Sequence, residues 1–122
     1  MNTLSQLIIA FIAFLHLYIL WLEMFVWTTR ARKVFKNIPE DQFEKTKVMA
    51  ANQGLYNGFL AAGLIWSLCI TNADWAKYVA IFFLSCVLVA GLYGAMTVSK
   101  RIFVVQAVPA TLGLLSFMLR LN

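Results

Sequence analysis

The chain has 122 residues, of which 62% are hydrophobic and only 12% are charged, and its formal net charge is +5. A soluble domain of this length has too little interior to bury so much apolar surface. The composition therefore excludes an ordinary soluble domain and predicts an integral membrane protein.

Four long apolar runs divide the sequence, and each has the roughly 20 residues that a helix needs to cross a hydrocarbon core. We therefore predict an all-α fold in which residues 1–122 form one domain, a bundle of four transmembrane helices. The first helix should stay in the mature chain, because no Lys or Arg precedes it and no small-residue cleavage site follows it. The predicted helices span about 4–28, 49–70, 75–98 and 102–121.

Predicted helix 1 contains two ionisable side chains, His16 and Glu23. Together with Trp27 they have the spacing i, i+7 and i+11, which places all three on one face of a helix. A carboxyl group rarely faces lipid, so we expect this face to point into the bundle. His16 and Glu23 are therefore the candidate catalytic or proton-carrying residues.

The first connection is the only one long enough to have a structure of its own. Pro39, followed by three acidic residues, is typical of a helix start. The apolar residues Val34, Phe35, Ile38 and Phe43 indicate a loop that lies on the membrane surface or over the mouth of a cavity, and we favour the surface. Aromatic residues near the helix ends are predicted to be interfacial anchors. They are Trp21, Trp27, Trp66, Trp75 and Tyr78.

Predicted helix 2 opens with the stretch ANQGLYNG, residues 51–58. Gly54, Gly58 and Ala62 form a small-xxx-small pattern that is typical of helix contacts. Beside this pattern the stretch has four hydrogen-bonding side chains. They are Asn52, Gln53, Tyr56 and Asn57.

The next connection is TNAD, in which Asn72 and Asp74 are predicted turn and cap formers. Predicted helices 3 and 4 each carry one further polar candidate, Tyr93 and Gln106. Pro109 frees a backbone carbonyl one turn earlier, so we expect a kink near Gln106.

Eight of the ten Lys and Arg residues lie in the first and third connections, and only Lys77 and Arg120 lie on the opposite side. Cytoplasmic loops collect basic residues, so both termini are predicted to lie outside the cytoplasm. The same bias, with attraction to anionic lipid, accounts for the net charge without a nucleic-acid partner. The cytoplasmic residues are Arg30, Arg32, Lys33, Lys36, Lys45, Lys47, Lys100 and Arg101.

At a rise of about 1.5 Å per residue, the polar side chains of all four spans fall at a similar depth on the cytoplasmic side. One interpretation is interhelical hydrogen bonding that only fixes the packing. The other is a ligand-binding pocket that opens to the cytoplasm, and the shared depth beside the most basic loop favours it. The predicted binding residues are Arg30, Asn52, Gln53, Tyr56, Asn57, Tyr93 and Gln106, around Glu23.

Cys69 and Cys86 have no CxxC spacing and no neighbouring His. We therefore predict buried thiols, no metal site and no catalytic cysteine.

Several of these segments resemble the bacterial membrane proteins known as domain of unknown function 1304. They are HLYILWLEMFVW (16–27), NQGLYNGFLAAGL (52–64), GLYG (91–94) and QAVPA (106–110). The resemblance covers nearly the whole chain and implies a four-helix fold in the bacterial cytoplasmic (inner) membrane. It brings no established activity.

The chain is more distantly similar to the MAPEG superfamily of glutathione-dependent membrane enzymes. Arg30 and Arg32 close helix 1, AANQGLYN opens helix 2 and KRIFVVQAVPA opens helix 4 in a comparable way. This resemblance implies glutathione as a cofactor, bound on the cytoplasmic side, and a homotrimer. The arginine and glutamate of the superfamily's helix-2 signature are missing here, and Asn52 and Asn57 are the nearest candidates.

Three hypotheses follow. In the first, the protein binds or acts on a small or lipophilic molecule at the inner leaflet through Glu23 and the polar layer. In the second, it is a proton-coupled transporter in which Glu23 and His16 relay protons. In the third, it is a structural or partner subunit of the membrane, and the polar layer only holds its helices together.

Overall fold

A computed structural model describes residues 1–119 of the chain. Within these residues the structure is helical and contains no strand, which confirms the all-α prediction. The predicted end of helix 4 at residue 121, and Arg120, lie outside the described residues. The elements are α1 (Thr3–Met24), α2 (Ala31–Val34), α3 (Gln42–Lys45), α4 (Lys47–Cys69), α5 (Ala73–Thr97), a π-helix (Phe103–Ala107) and α6 (Val108–Ser116).

Side-chain caps set the starts of two long helices. The Asn2 side-chain oxygen Oδ1 accepts a hydrogen bond from the Ser5 backbone N–H at 2.8 Å at the start of α1. Asn72 does the same for the Trp75 N–H at 3.0 Å at the start of α5, which confirms its predicted role as a cap. Such a cap satisfies one of the amide groups that have no partner within the helix.

The fourth predicted helix is interrupted. Residues Phe103–Ala107 form a π-helix in which the Val108 N–H donates to the Phe103 carbonyl, five residues earlier. Pro109 follows within the first two positions of α6, directly after the π-helix. The expected kink before Pro109 is therefore a wider helical turn that contains Gln106.

The contacts of the chain fall into two compact units. The first consists of Met1–Phe14 and the described chain from Leu60 to Leu119. Its core contains residues of α1, α4, α5 and α6, namely Ile9, Ile12, Ala13, Leu64, Ala80, Leu84, Val87 and Ala110.

The second unit is Leu15–Phe59, and its core forms around Trp27. The indole Nε1 of Trp27 donates to Thr46 Oγ1 at 3.0 Å, and its ring lies 5.0 Å from the Phe43 ring and 5.4 Å from the Phe35 ring, between centroids. The prediction that Trp27 is an interfacial anchor is therefore wrong, because its side chain is 9% exposed and belongs to this core. The apolar residues of the first connection pack against the same core, and their location at the membrane surface stays a prediction.

This core also explains why α1 ends at Met24 and not at residue 28. The chain turns after Met24, and the Ala31 N–H returns to the Val26 carbonyl at 3.0 Å. The turn brings Trp27 into contact with the apolar side of the connection, so burial of its ring takes precedence over one more helical turn. The other predicted anchors, Trp21, Trp66, Trp75 and Tyr78, are exposed.

By length and composition, α1 and α5 are the two described helices that are apolar enough to cross a membrane. Helix α4 has sufficient length, but its amides at positions 52, 53 and 57 lower its hydropathy. The stretch Phe103–Ser116 is apolar but shorter than a full span.

Candidate functional site

A carboxyl group and an amide meet in the interior of the second unit. The Asn57 Nδ2 on α4 donates a hydrogen bond of 2.6 Å to Glu23 Oε1 on α1. The Glu23 side chain is 7% exposed and Asn57 is 8% exposed. A hydrogen bond to a carboxyl group in such an apolar setting is stronger than the same bond in water, and loss of the donor leaves the carboxyl group unsatisfied.

Two glycines of α4 allow this pair to form. A Cβ atom on Gly54 would lie 2.6 Å from Met24 Cγ and 3.1 Å from Glu23 Cβ, and one on Gly58 would lie 2.7 Å from Leu20 Cδ1. The distances of 2.6 Å and 2.7 Å are shorter than van der Waals contact, so a side chain at either position would force its neighbour to move, and the absence of side chains lets the helices approach closely. Gly54 and Gly58 thus act within one chain, whereas the third member of the predicted pattern, Ala62, is exposed.

The predicted face of α1 is buried. His16 is fully buried, and Glu23 seven residues later and Trp27 beyond the helix end are 7% and 9% exposed. The spacing i, i+7 therefore identified the inward face correctly.

The other predicted binding residues of α4 lie on its outer surface. Asn52 donates its side-chain amide to the Val48 carbonyl of its own helix at 3.1 Å. Tyr56 is 60% exposed and its ring lies 6.1 Å from the Phe59 ring, and Gln53 is also exposed. None of the three is hydrogen-bonded to Glu23 or Asn57 among residues 1–119. The sequence placed all four polar groups in one cytoplasmic-side layer, and of these four the structure brings Asn57 to Glu23.

Tyr93 and Gln106 belong to the first unit. Tyr93 is 69% exposed and lines an open apolar groove of about 520 Å³ along one face of α5, together with Phe82, Cys86 and Val89. Gln106 is half-buried in the π-helix, and Gly91 of α5 packs against its Cβ. The inclusion of these two residues in one site with Glu23 stays a prediction.

Arg30 lies on the surface of the second unit. It precedes α2 with helical backbone angles, φ −61° and ψ −37°, and its side chain is exposed. Arg30 therefore belongs to the basic outer face of the first connection. It does not lie in the buried surroundings of Glu23.

The structure shows one buried polar cluster that the sequence did not single out. The hydroxyl groups of Ser5 and Ser116 are 2.7 Å apart, and Ser116 Oγ also donates to the Gly113 carbonyl at 2.6 Å. Asn2 Nδ2 donates to the Ser116 carbonyl at 3.3 Å. This cluster joins the start of α1 to the end of α6. The sequence contains one local indication of it, which is that Asn2 lies three residues before Ser5, the spacing of a helix cap.

Within the described part of the chain, no three His, Cys, Asp or Glu side chains are grouped so that they would hold a metal ion. Both cysteines are free thiols. Cys86 is half-buried, but the prediction of a buried Cys69 is wrong, because this residue ends α4 and is exposed.

The sequence model of the family described as "Protein of unknown function (DUF1304)" matches residues 10–118. The chain is also 30% identical over 118 residues to the uncharacterized protein YpaA of Lactococcus lactis subsp. lactis (strain IL1403), which covers 95% of this chain and 98% of that protein. No solved structure matches. Together with the quoted motifs, these matches show that the chain belongs to the DUF1304 family.

Proposed function

We propose that this chain is a multi-pass protein of the bacterial cytoplasmic membrane that binds a small or lipophilic molecule at the Glu23–Asn57 pair. The observation that carries the proposal is the buried hydrogen bond of 2.6 Å between these two side chains. Buried polar groups are rare in apolar helices and are typical of binding and proton-exchange sites.

The exposed surface supports the membrane location. Large apolar side chains of α1 and α5 point outward, among them Phe14 and Phe82, which are 71% and 62% exposed. Water disfavours apolar surface of this extent, whereas lipid accommodates it. The proposed topology has four spans, with α4 and the stretch Phe103–Ser116 as the second and fourth, and both termini outside the cytoplasm.

The chemistry of the pair defines the class of ligand. In its ionised form Glu23 accepts hydrogen bonds through both oxygens, and in its neutral form it donates one. Asn57 supplies donors from Nδ2 and an acceptor from its carbonyl oxygen. A molecule with an amine, amide or hydroxyl group attached to an apolar body therefore matches both the polar pair and its surroundings.

Ligand-dependent stabilisation tests the proposal. Wild type, Glu23→Gln and Asn57→Leu would be melted in uncharged detergent with a panel of lipids, amines and thiols that includes glutathione. A ligand at 100 times its dissociation constant stabilises by about 2.7 kcal/mol, and we expect both substitutions to abolish this shift. Ser67→Ala is the matched control, because Ser67 is a buried polar residue of α4 whose hydroxyl donates to the Leu64 carbonyl at 2.6 Å and, among residues 1–119, does not bond Glu23 or Asn57. If no compound of the panel stabilises the wild type, or if the Glu23 and Asn57 variants respond as it does, binding at this pair is refuted.

One alternative has an observation in its favour. Glu23 and Asn57 form a hydrogen bond with each other where α1 and α4 approach closely. Polar residues whose role is only to hold two helices together have the same arrangement. Such bonds contribute about 0.6 to 2 kcal/mol in membranes. In that case Glu23→Gln and Asn57→Leu lower the melting temperature in a coupled manner, while no ligand changes it.

The proposed topology has a separate test. Single cysteines would replace Lys33 in the first connection and Lys77 at the start of α5, in a background that lacks the two native thiols. A thiol reagent that cannot cross membranes should label position 77 in intact cells, and position 33 only after the cells are opened. Labelling of both positions in intact cells, or recovery of the protein in the soluble fraction, would disprove the topology.

A further inference from the structure

The charges of the first connection separate into a paired and an unpaired group. Arg32 Nη1 donates to Glu40 Oε2 at 2.9 Å, and the Arg32 guanidinium carbon lies 5.5 Å from the centre of the Phe43 ring. Lys45 Nζ lies 3.9 Å from Asp41 Oδ2. Two of the three acidic residues of the connection thus form ion pairs with two of its basic residues.

The remaining basic residues face outward. Four cationic side chains are exposed and form no ion pair among residues 1–119. The acidic residue that is left, Glu44, is exposed as well. The unpaired charge of this segment is therefore positive. The four cationic residues are Arg30, Lys33, Lys36 and Lys47.

The fold of the connection holds part of this charge in place. Ala31 is fully buried, and Val34 and Phe35 pack against the core around Trp27. Residues three apart share one face of a helical turn, so Arg30 and Lys33 lie together, and both side chains are exposed. Lys36 follows directly after the last turn. The segment is thus amphipathic, with its apolar side covered by the protein itself.

We propose that Arg30, Lys33 and Lys36 form a binding surface for the headgroups of anionic phospholipids in the cytoplasmic leaflet. The inference rests on the proposed membrane location, because α1 ends at Met24, only six residues before Arg30. Basic side chains this close to the end of a span lie at the level of the lipid phosphates. Since the apolar side is already covered, attraction to the headgroups must come from charge and not from insertion into the acyl region.

A lipid titration tests this surface. Protein in uncharged detergent would receive phosphatidylglycerol, phosphatidylcholine or inorganic phosphate, and its melting temperature would be followed. Each basic residue near an anionic surface contributes about fivefold in affinity, so Arg30→Gln/Lys33→Gln/Lys36→Gln should bind phosphatidylglycerol about 100-fold more weakly. The control Lys77→Gln removes one isolated basic residue, on the other side of the membrane in the proposed topology, and its affinity should fall by no more than about fivefold.

Four results would overturn the inference. One is that the Arg30/Lys33/Lys36 variant binds phosphatidylglycerol as tightly as the wild type does, and another is that the control variant loses as much affinity as this variant. The others are that phosphatidylcholine raises the melting temperature of the wild type as much as phosphatidylglycerol does, or that inorganic phosphate does so. The last result would indicate a soluble anion as the ligand. These outcomes are independent of the Glu23 proposal, because a failure of ligand binding at Glu23 and Asn57 leaves the lipid titration unchanged. A protein found in the soluble fraction would refute both.

Discussion

The contact between α5 and the π-helix provides the sharpest structural prediction, through Gly91. A Cβ atom at this position would lie 2.7 Å from the Ala107 nitrogen, 3.0 Å from Gln106 Cβ and 3.1 Å from Ala107 Cα. Non-bonded heavy atoms are most stable at about 3.5 to 4.0 Å. Since two of the three neighbours are backbone atoms of the π-helix, rotation of a side chain cannot relieve the overlap.

Gly91→Ala should therefore destabilise the protein. Overpacking of this kind costs about 1 to 3 kcal/mol, and the replacement of a helical Gly by Ala returns up to about 1 kcal/mol. Because the backbone must move, we expect the upper part of the overpacking range and a net loss of about 2 kcal/mol. At about 3 to 6 °C per kcal/mol for a chain of this size, the melting temperature should fall by roughly 6 to 12 °C.

Gly94→Ala is the matched control on the same helix. Its Cβ atom would lie 3.0 Å from Ile102 Cγ2 and 3.4 Å from Cδ1, which are atoms of a side chain that can rotate away. The gain in helix propensity should then offset the contact, and the melting temperature should stay within a few degrees of wild type. Both variants would be unfolded by heat in the same detergent and followed by circular dichroism. If the two substitutions lower the melting temperature equally, the close approach of α5 to the π-helix backbone is not the reason that position 91 needs a glycine.

Three further predictions concern single hydrogen bonds, and each is measured by thermal unfolding beside the wild type. Trp27→Phe keeps an aromatic ring but loses the 3.0 Å bond to Thr46, and it should cost about 1 kcal/mol; an unchanged melting temperature would show that packing alone holds this core. Asn72→Ala removes the cap of α5 and should cost about 1 kcal/mol, whereas Asn72→Ser should recover most of the loss. Ser5→Ala leaves the buried Ser116 hydroxyl with its bond to the Gly113 carbonyl, so the loss should stay near 1 kcal/mol, and a loss above about 3 kcal/mol would contradict this view.

The helical elements were largely predictable from the sequence. Long apolar runs limited by polar connections predict helices, and the observed bounds of α4 and α5 lie within two residues of the predicted ones. The cap at Asn72 was predictable as well, because its effect depends on residues three positions apart. The end of α1 was predicted four residues too late, since hydropathy contains no information about a ring that is buried by a distant loop.

The candidate site was predictable only in part. The carboxyl group at position 23 stands out in an apolar run, and its buried face follows from helical periodicity. The hydrogen-bond partner of Glu23 cannot be predicted from the sequence, because Asn52, Gln53 and Asn57 all carry side-chain amides and lie at nearly the same predicted depth. Helix rotation decides among them, and it is set by contacts such as that of Gly54 with Met24.

By itself the sequence determined the helical class, the family and the excess of positive charge in the first connection, because these depend on composition, short motifs and local periodicity. The tertiary structure decided that Asn57 and not its neighbours meets Glu23, that Trp27 is the centre of a core, and which basic residues of the first connection form ion pairs. Those features depend on contacts between residues far apart in the chain. Their energies come from packing and hydrogen bonding across elements, which local sequence patterns do not encode.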